Sequence, residues 1–98
     1  MIKTMTYSVE EVLSKDIREE FNTIDEEGKW NFYLKPAMNI KGEFLGFYEI
    51  MLGNKFFRSY NSTEDCIKAI QRNFIQDRKG NGLIAEDEYN IIEVKISQ

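Results

Sequence analysis

The chain has 98 residues, 42% of them hydrophobic and 13% aromatic, with 13 Lys and Arg against 17 Asp and Glu for a formal charge of −4. This is the length of one domain, 1–98, with enough apolar side chains for a modest core, which excludes a disordered chain. There is no His, and there is one Cys, which excludes an internal disulfide, a His-based nucleophilic triad and a tetrahedral zinc site.

The first expected element is a long helix. Ser8 is a good N-cap, Glu11 three residues later completes a capping box, and Tyr7 and Val12 stand at the positions of a hydrophobic staple. Val9, Val12, Leu13, Ile17, Phe21 and Ile24 follow helical spacing along one face. Acids occupy the other face, and Asp25-Glu26-Glu27-Gly28 ends the helix in a turn. Residues 10–27 carry eight acids against two bases, whereas 28–98 carry nine acids against ten bases. The first third is thus strongly acidic and the remainder nearly balanced.

Three strands follow. Trp30, Phe32 and Leu34 alternate with Asn31, Tyr33 and Lys35, the period of a half-buried strand. Pro36 is expected to stop it, because proline cannot donate to a ladder. Residues 37–42 read as a loop with Asn39 and Gly42 as turn residues, and Met38 and Ile40 are unusually apolar for such a loop. Phe44 to Leu52 is a strand apolar on both sides, with Phe44, Tyr48, Ile50 and Leu52 on one face and Leu45, Phe47 and Met51 on the other. That pattern fits a central strand or one face kept for a partner. Gly53-Asn54 signals a two-residue hairpin into a strand from Lys55 to Tyr60.

A second helix is expected to begin at Asn61 or Ser62, with Glu64 and Asp65 at the positive end of its dipole. Cys66, Ile67, Ile70, Phe74 and Ile75 form its inner stripe. Arg72, Arg78 and Lys79 gather toward its end, and Gly80 is the expected C′ residue. Leu83-Ile84 adds a short extended piece. The last strand runs from Tyr89 to Ile96, with Ile92, Val94 and Ile96 on one face. The expected fold is α+β, a two-layer sandwich in α-β-β-β-α-β order, with an antiparallel meander packed against two helices.

The chemistry available is narrow. Cys66 lies near a helix N-terminus but on the inner stripe, the place of a small buried core residue. Asp25-Glu26-Glu27 and Glu86-Asp87-Glu88 lack the alternating spacing of a calcium loop. Gly80-Asn81-Gly82 lacks the spacing and lysine of a phosphate loop and reads as a helix stop. The expectation is a protein that is not an enzyme and binds no cofactor or metal. The N-terminus has no apolar run of signal-peptide length, and the longest apolar stretch, Phe44 to Leu52, is too short to span a bilayer. A cytoplasmic location is therefore expected.

The α-β-β-β-α order over about residues 8 to 79 resembles a double-stranded RNA-binding domain. That family carries lysines at the start of its second helix, where this chain reads Ser62-Thr63-Glu64-Asp65. Residues 28 to 75 also look loosely like the β-β-β-α arm-binding domains of phage integrases, with Lys29, Lys35, Lys41, Lys55 and Arg58 in the meander. By type rather than motif, the chain is similar to small acidic counter-defence proteins of phages, such as anti-CRISPR and anti-restriction proteins, and to immunity proteins and antitoxins.

The leading expectation is a non-catalytic inhibitor that covers a basic surface of a partner protein. Its candidate contact residues are Glu11, Asp16, Glu19, Glu20, Asp25, Glu26 and Glu27 on the acidic segment, with Tyr33 and Tyr48 at the rim of the sheet. The alternatives are a nucleic-acid-binding module using the basic meander, and an oligomeric accessory protein, such as a homodimer, with no ligand.

Overall fold

The computed structural model describes residues 2–14, 16–75, 79 and 82–97. It is a small α+β fold built on one five-stranded mixed sheet. The elements are β1 (Ile2–Ser8), α1 (Val9–Ser14), a 3-10 turn (Ile17–Glu20), β2 (Trp30–Met38), β3 (Phe44–Leu52), β4 (Lys55–Tyr60), α2 (Thr63–Phe74) and β5 (Tyr89–Ser97). The strand order across the sheet is β1-β5-β2-β3-β4. The β2-β3-β4 meander is antiparallel, as expected. β5 lies parallel to β2, and β1 lies parallel to β5 in unbroken register from Ile2↔Ile91 to Ser8↔Ser97.

Side-chain alternation along the strands produces two cores on opposite sides of the sheet. On one side Phe32, Leu34, Ile50 and Ile91 pack against Cys66, Ala69 and Ile70 of α2. On the other, Tyr33, Met51, Ile92 and Val94 pack against Tyr7, Ile17 and Phe21, with Val12 of α1 at the edge. The sheet is therefore covered on both faces, where the sequence pattern suggested two helices on one face.

Two further expectations are corrected. β1 precedes the first helix: Lys3, Met5 and Tyr7 alternate with Thr4 and Thr6 at a period of two. The long acidic helix does not form. The capping box does, with Ser8 N–H donating to Glu11 Oε1 at 3.0 Å and Glu11 N–H to Ser8 Oγ at 3.1 Å. Yet α1 ends at Ser14, and Asp16 caps a separate 3-10 turn by accepting from Arg18 N–H at 3.0 Å. A short acidic side chain that bonds the backbone two residues on offers it an alternative to the helix ladder. Leu13 and Ile24, expected to face inward, are half exposed.

Pro36 does not stop β2. Pairing with β5 ends at Leu34↔Glu93, so Pro36 meets a neighbour on one side alone, facing Tyr48 of β3 beside a register shift. A missing N–H is tolerated at such a place. The hairpin at Gly53-Asn54 forms, with φ +60° at Gly53 and no positive φ at Asn54, the type II′ pattern that glycine at the first position permits. α2 is capped by Ser62, whose Oγ accepts from Asp65 N–H at 3.1 Å, but it ends at Phe74. Ile75 then pairs with Ile84 as an isolated parallel bridge. The expected stop at Gly80 lies outside the described residues.

Candidate functional site

The feature that sets one region apart is an arm. β2 and β3 continue together through Pro36↔Tyr48 and Met38↔Phe44. Their neighbours do not follow: β5 stops pairing at Leu34, and β4 pairs with β3 between Tyr48 and Leu52. The arm closes in a tight loop. Asn39 Oδ1 accepts from Lys41 N–H at 2.9 Å and Glu43 N–H at 3.0 Å, and Asn39 N–H donates to Glu43 O at 3.1 Å. Gly42 has φ +79°, and a Cβ there would stand 2.7 Å from Val9 Cγ1 and 3.8 Å from Leu13. α1 thus buttresses a two-stranded ribbon that would be marginal alone.

Large apolar side chains stand in the open on this arm and on the helix beside it. Ile40 is 92% exposed, Phe44 and Leu45 each 51%, and Leu13 of α1 49%. Phe44 stacks obliquely on Tyr48, ring centroids 5.2 Å apart. Beside it, where β2 and β5 part, lies a cleft of about 500 Å³ lined by Val9, Leu34, Pro36, Met38, Phe44, Tyr48, Thr63 and residues 93–96 of β5. Met38 and α1 also border a shallower hollow containing Leu13, Ile40, Asp16, Arg18, Lys35 and Glu49. In that hollow the charges are matched. Lys35 Nζ lies 3.1 Å from Glu49, both side chains mostly buried, and Arg18 holds Asp16 at 2.7 Å. The hydrogen bond from Arg18 pulls the Asp16 carboxyl down to about 2.

The candidate acids are distributed differently from a row on one helix. Glu11 is engaged in the capping box, Asp16 in its cap and ion pair, and Glu20 accepts from the Tyr7 hydroxyl at 2.9 Å. Burial, with that bond second, pushes Tyr7 up to about 12. Asp25 is partly buried. Its Oδ1 accepts from Lys29 N–H at 2.8 Å and Glu27 N–H at 2.9 Å, and its Oδ2 from Asn90 Nδ2 at 2.7 Å. These bonds, that from Lys29 N–H first, hold its carboxyl below the ordinary range. Glu19, Glu26 and Glu27 are exposed.

Tyr33 is inside the protein rather than at the rim. Its ring stacks on Phe21 at 4.1 Å and its hydroxyl donates to Asn22 O at 3.2 Å. Tyr48 is half buried and lines the cleft. Asn31 and Asn90, neighbours across β2 and β5, are buried and joined at 3.0 Å. With Asp25 and Asn22 they tie the irregular segment onto the sheet, a role the sequence did not announce. Ile40 and Phe44, by contrast, had a signal: apolar residues in a turn and on both faces of the following strand.

The basic residues of the meander do not share one surface. Lys35 is bound to Glu49, Lys29 lies 3.8 Å from Glu27, and Arg58 sits over the Phe57 ring at 5.3 Å. Lys41 and Lys55 stand beyond opposite ends of β3. Cys66 is fully buried, and burial pushes its thiol up to about 11. Among the described residues no three His, Cys, Asp or Glu side chains are grouped to hold a metal ion, and no helix is long and apolar enough to cross a membrane. Comparison with protein-family models, curated proteins and solved structures gives no match for this chain.

Proposed function

We propose that this protein is a non-catalytic binding module that acts by covering a surface of another protein, with the β2–β3 arm as its contact. The observation that carries this reading is that Ile40, Phe44 and Leu45 are half or more exposed on a ribbon that neither β4 nor β5 flanks, with Leu13 of α1 exposed beside its turn. Exposed apolar clusters of this kind mark interaction sites, and aromatic anchors beside a cleft supply most of the affinity at such sites. The acids next to Leu13, Glu10 and Glu11, together with the acidic bias of residues 10–27, favour a partner with a basic rim, as a small inhibitor of a basic surface would meet. Charge at the rim would speed encounter, and the apolar arm would set the lifetime of the complex.

Affinity capture from native cells tests this with three baits: the wild type, an arm variant (Ile40→Asp with Phe44→Ser) and an acidic variant (Glu26→Lys with Glu27→Lys). The reading expects a protein retained by the wild type, lost with the arm variant, and retained by the acidic variant with a weaker dependence on salt. A partner recovered equally well by all three baits would place the contact elsewhere.

A further inference from the structure

We propose that β1 is a self-association edge: two copies of this chain join their β1 strands antiparallel about Met5, making one ten-stranded sheet. β1 is the outermost strand of the sheet, paired with β5 on its inner side along all seven residues. Edge strands that are meant to stay unpaired are short, bulged or studded with charge. β4, at the opposite edge, has a register shift against β3 and carries Lys55 and Arg58. β1 runs without a register shift, and Lys3 is the one ionisable side chain along Ile2–Ser8 besides the buried Tyr7.

Charge complementarity selects the occupant. The strand is positive near its start, at Lys3. At its end the Tyr7 hydroxyl donates to Glu20, and the Ser8 N–H donates to Glu11. Antiparallel pairing of all seven residues sets Lys3 opposite the second copy's Tyr7 and its Glu20, twice by symmetry. Parallel pairing would set Lys3 against Lys3. The same register puts Thr4 across from Thr6 and Met5 across from itself, pairings that suit an antiparallel ladder. Because the contact is isologous it closes at two copies and leaves the arm of each copy available.

The test has two parts. Light scattering and sedimentation over a wide concentration range should show a monomer–dimer equilibrium, and Lys3→Glu should weaken it about tenfold by making two facing pairs repulsive. Lys3→Arg should leave it unchanged. Under mild oxidation Met5→Cys should link two chains, because facing residues bring their Cβ atoms to about 5 Å; Thr4→Cys alone should not, since it faces Thr6. Cys66 is buried and does not compete. A monomer at every concentration, or linkage as fast through Thr4→Cys as through Met5→Cys, would overturn the proposal.

Discussion

The two faces of the sheet are covered by different means. On one, a single capped helix of 12 residues lays Cys66, Ala69 and Ile70 on the strands. On the other, a six-residue helix, a 3-10 turn and an irregular segment do the same work. They rely on one stacked aromatic pair and a chain of buried amides for what α2 obtains from its continuous apolar stripe. Regular helix tolerates loss of one contact because its neighbours share the load. A segment fixed by a few polar bonds depends on each of them.

The largest expected effects probe the cores. Phe32→Ala should cost about 3–5 kcal/mol, since Phe32 is fully buried and touches Phe74 and Tyr89. Phe21→Ala should cost about 3 kcal/mol, the lower end of the same range, because the irregular segment can settle onto the gap. Urea titration checks both, with Cys66 thiol reactivity as a reporter of the α2 face. The contrast itself rests on where protection is lost. Phe21→Ala should open residues 16–29 to hydrogen exchange before global unfolding, Phe32→Ala should not do so for α2, and equal local loss on both faces would break it.

Next is the amide chain. Asn90→Ala strands Asn31 Oδ1 and removes a donor from Asp25, and should cost about 1–3 kcal/mol. It should also raise hydrogen exchange in residues 22–29 more than in α2. Smaller still, Ser62→Ala should cost about 1 kcal/mol. Ser8→Ala should cost about 0.5 kcal/mol, because it caps a helix of six residues.

Smallest near neutral pH are the effects that appear at the two ends of the pH range. Asp16 has a folded value depressed from 3.8 to about 2, so its contribution is present above pH 4 and fades as pH falls toward 2. Its side chain is 43% exposed, so screening keeps that contribution small. Tyr7 is raised from 10.0 to about 12; its contribution is present below pH 10 and is lost as pH rises toward 12. Asp16→Asn should flatten the acid limb, and Tyr7→Phe the alkaline limb, of a stability-against-pH curve.

What the sequence disclosed follows the same division. The α2 stripe, its Ser62 cap, the meander, the faces of β5 and the burial of Cys66 are all consequences of local periodicity, and local periodicity can be read from residue order. The acidic segment misled because Ile17 and Phe21 keep helical spacing even though Asp16 has captured the backbone between them. β1 was missed because its core-facing side carries just Met5 and Tyr7, with Lys3 before them and exposed Thr4 and Thr6 between, too short an apolar alternation to stand out. The arm was half legible: Ile40 in its turn was conspicuous, but its exposure depends on where β4 and β5 stop, which is a property of the whole sheet. Tyr33 illustrates the converse, a tyrosine whose polar end suggests a surface and whose hydroxyl instead finds a carbonyl inside.

The place of β5 bears on the order in which the molecule can assemble. β5 follows the other four strands in the chain, yet it sits between β1 and β2 and joins them. During synthesis the meander and α2 can gather as soon as they emerge, whereas β1, made first, must wait some eighty residues for the strand it pairs with. Closing so long a loop is slow. Until then β1 is an unpaired strand on both edges, and Lys3 is the one charge along it that opposes wrong pairing.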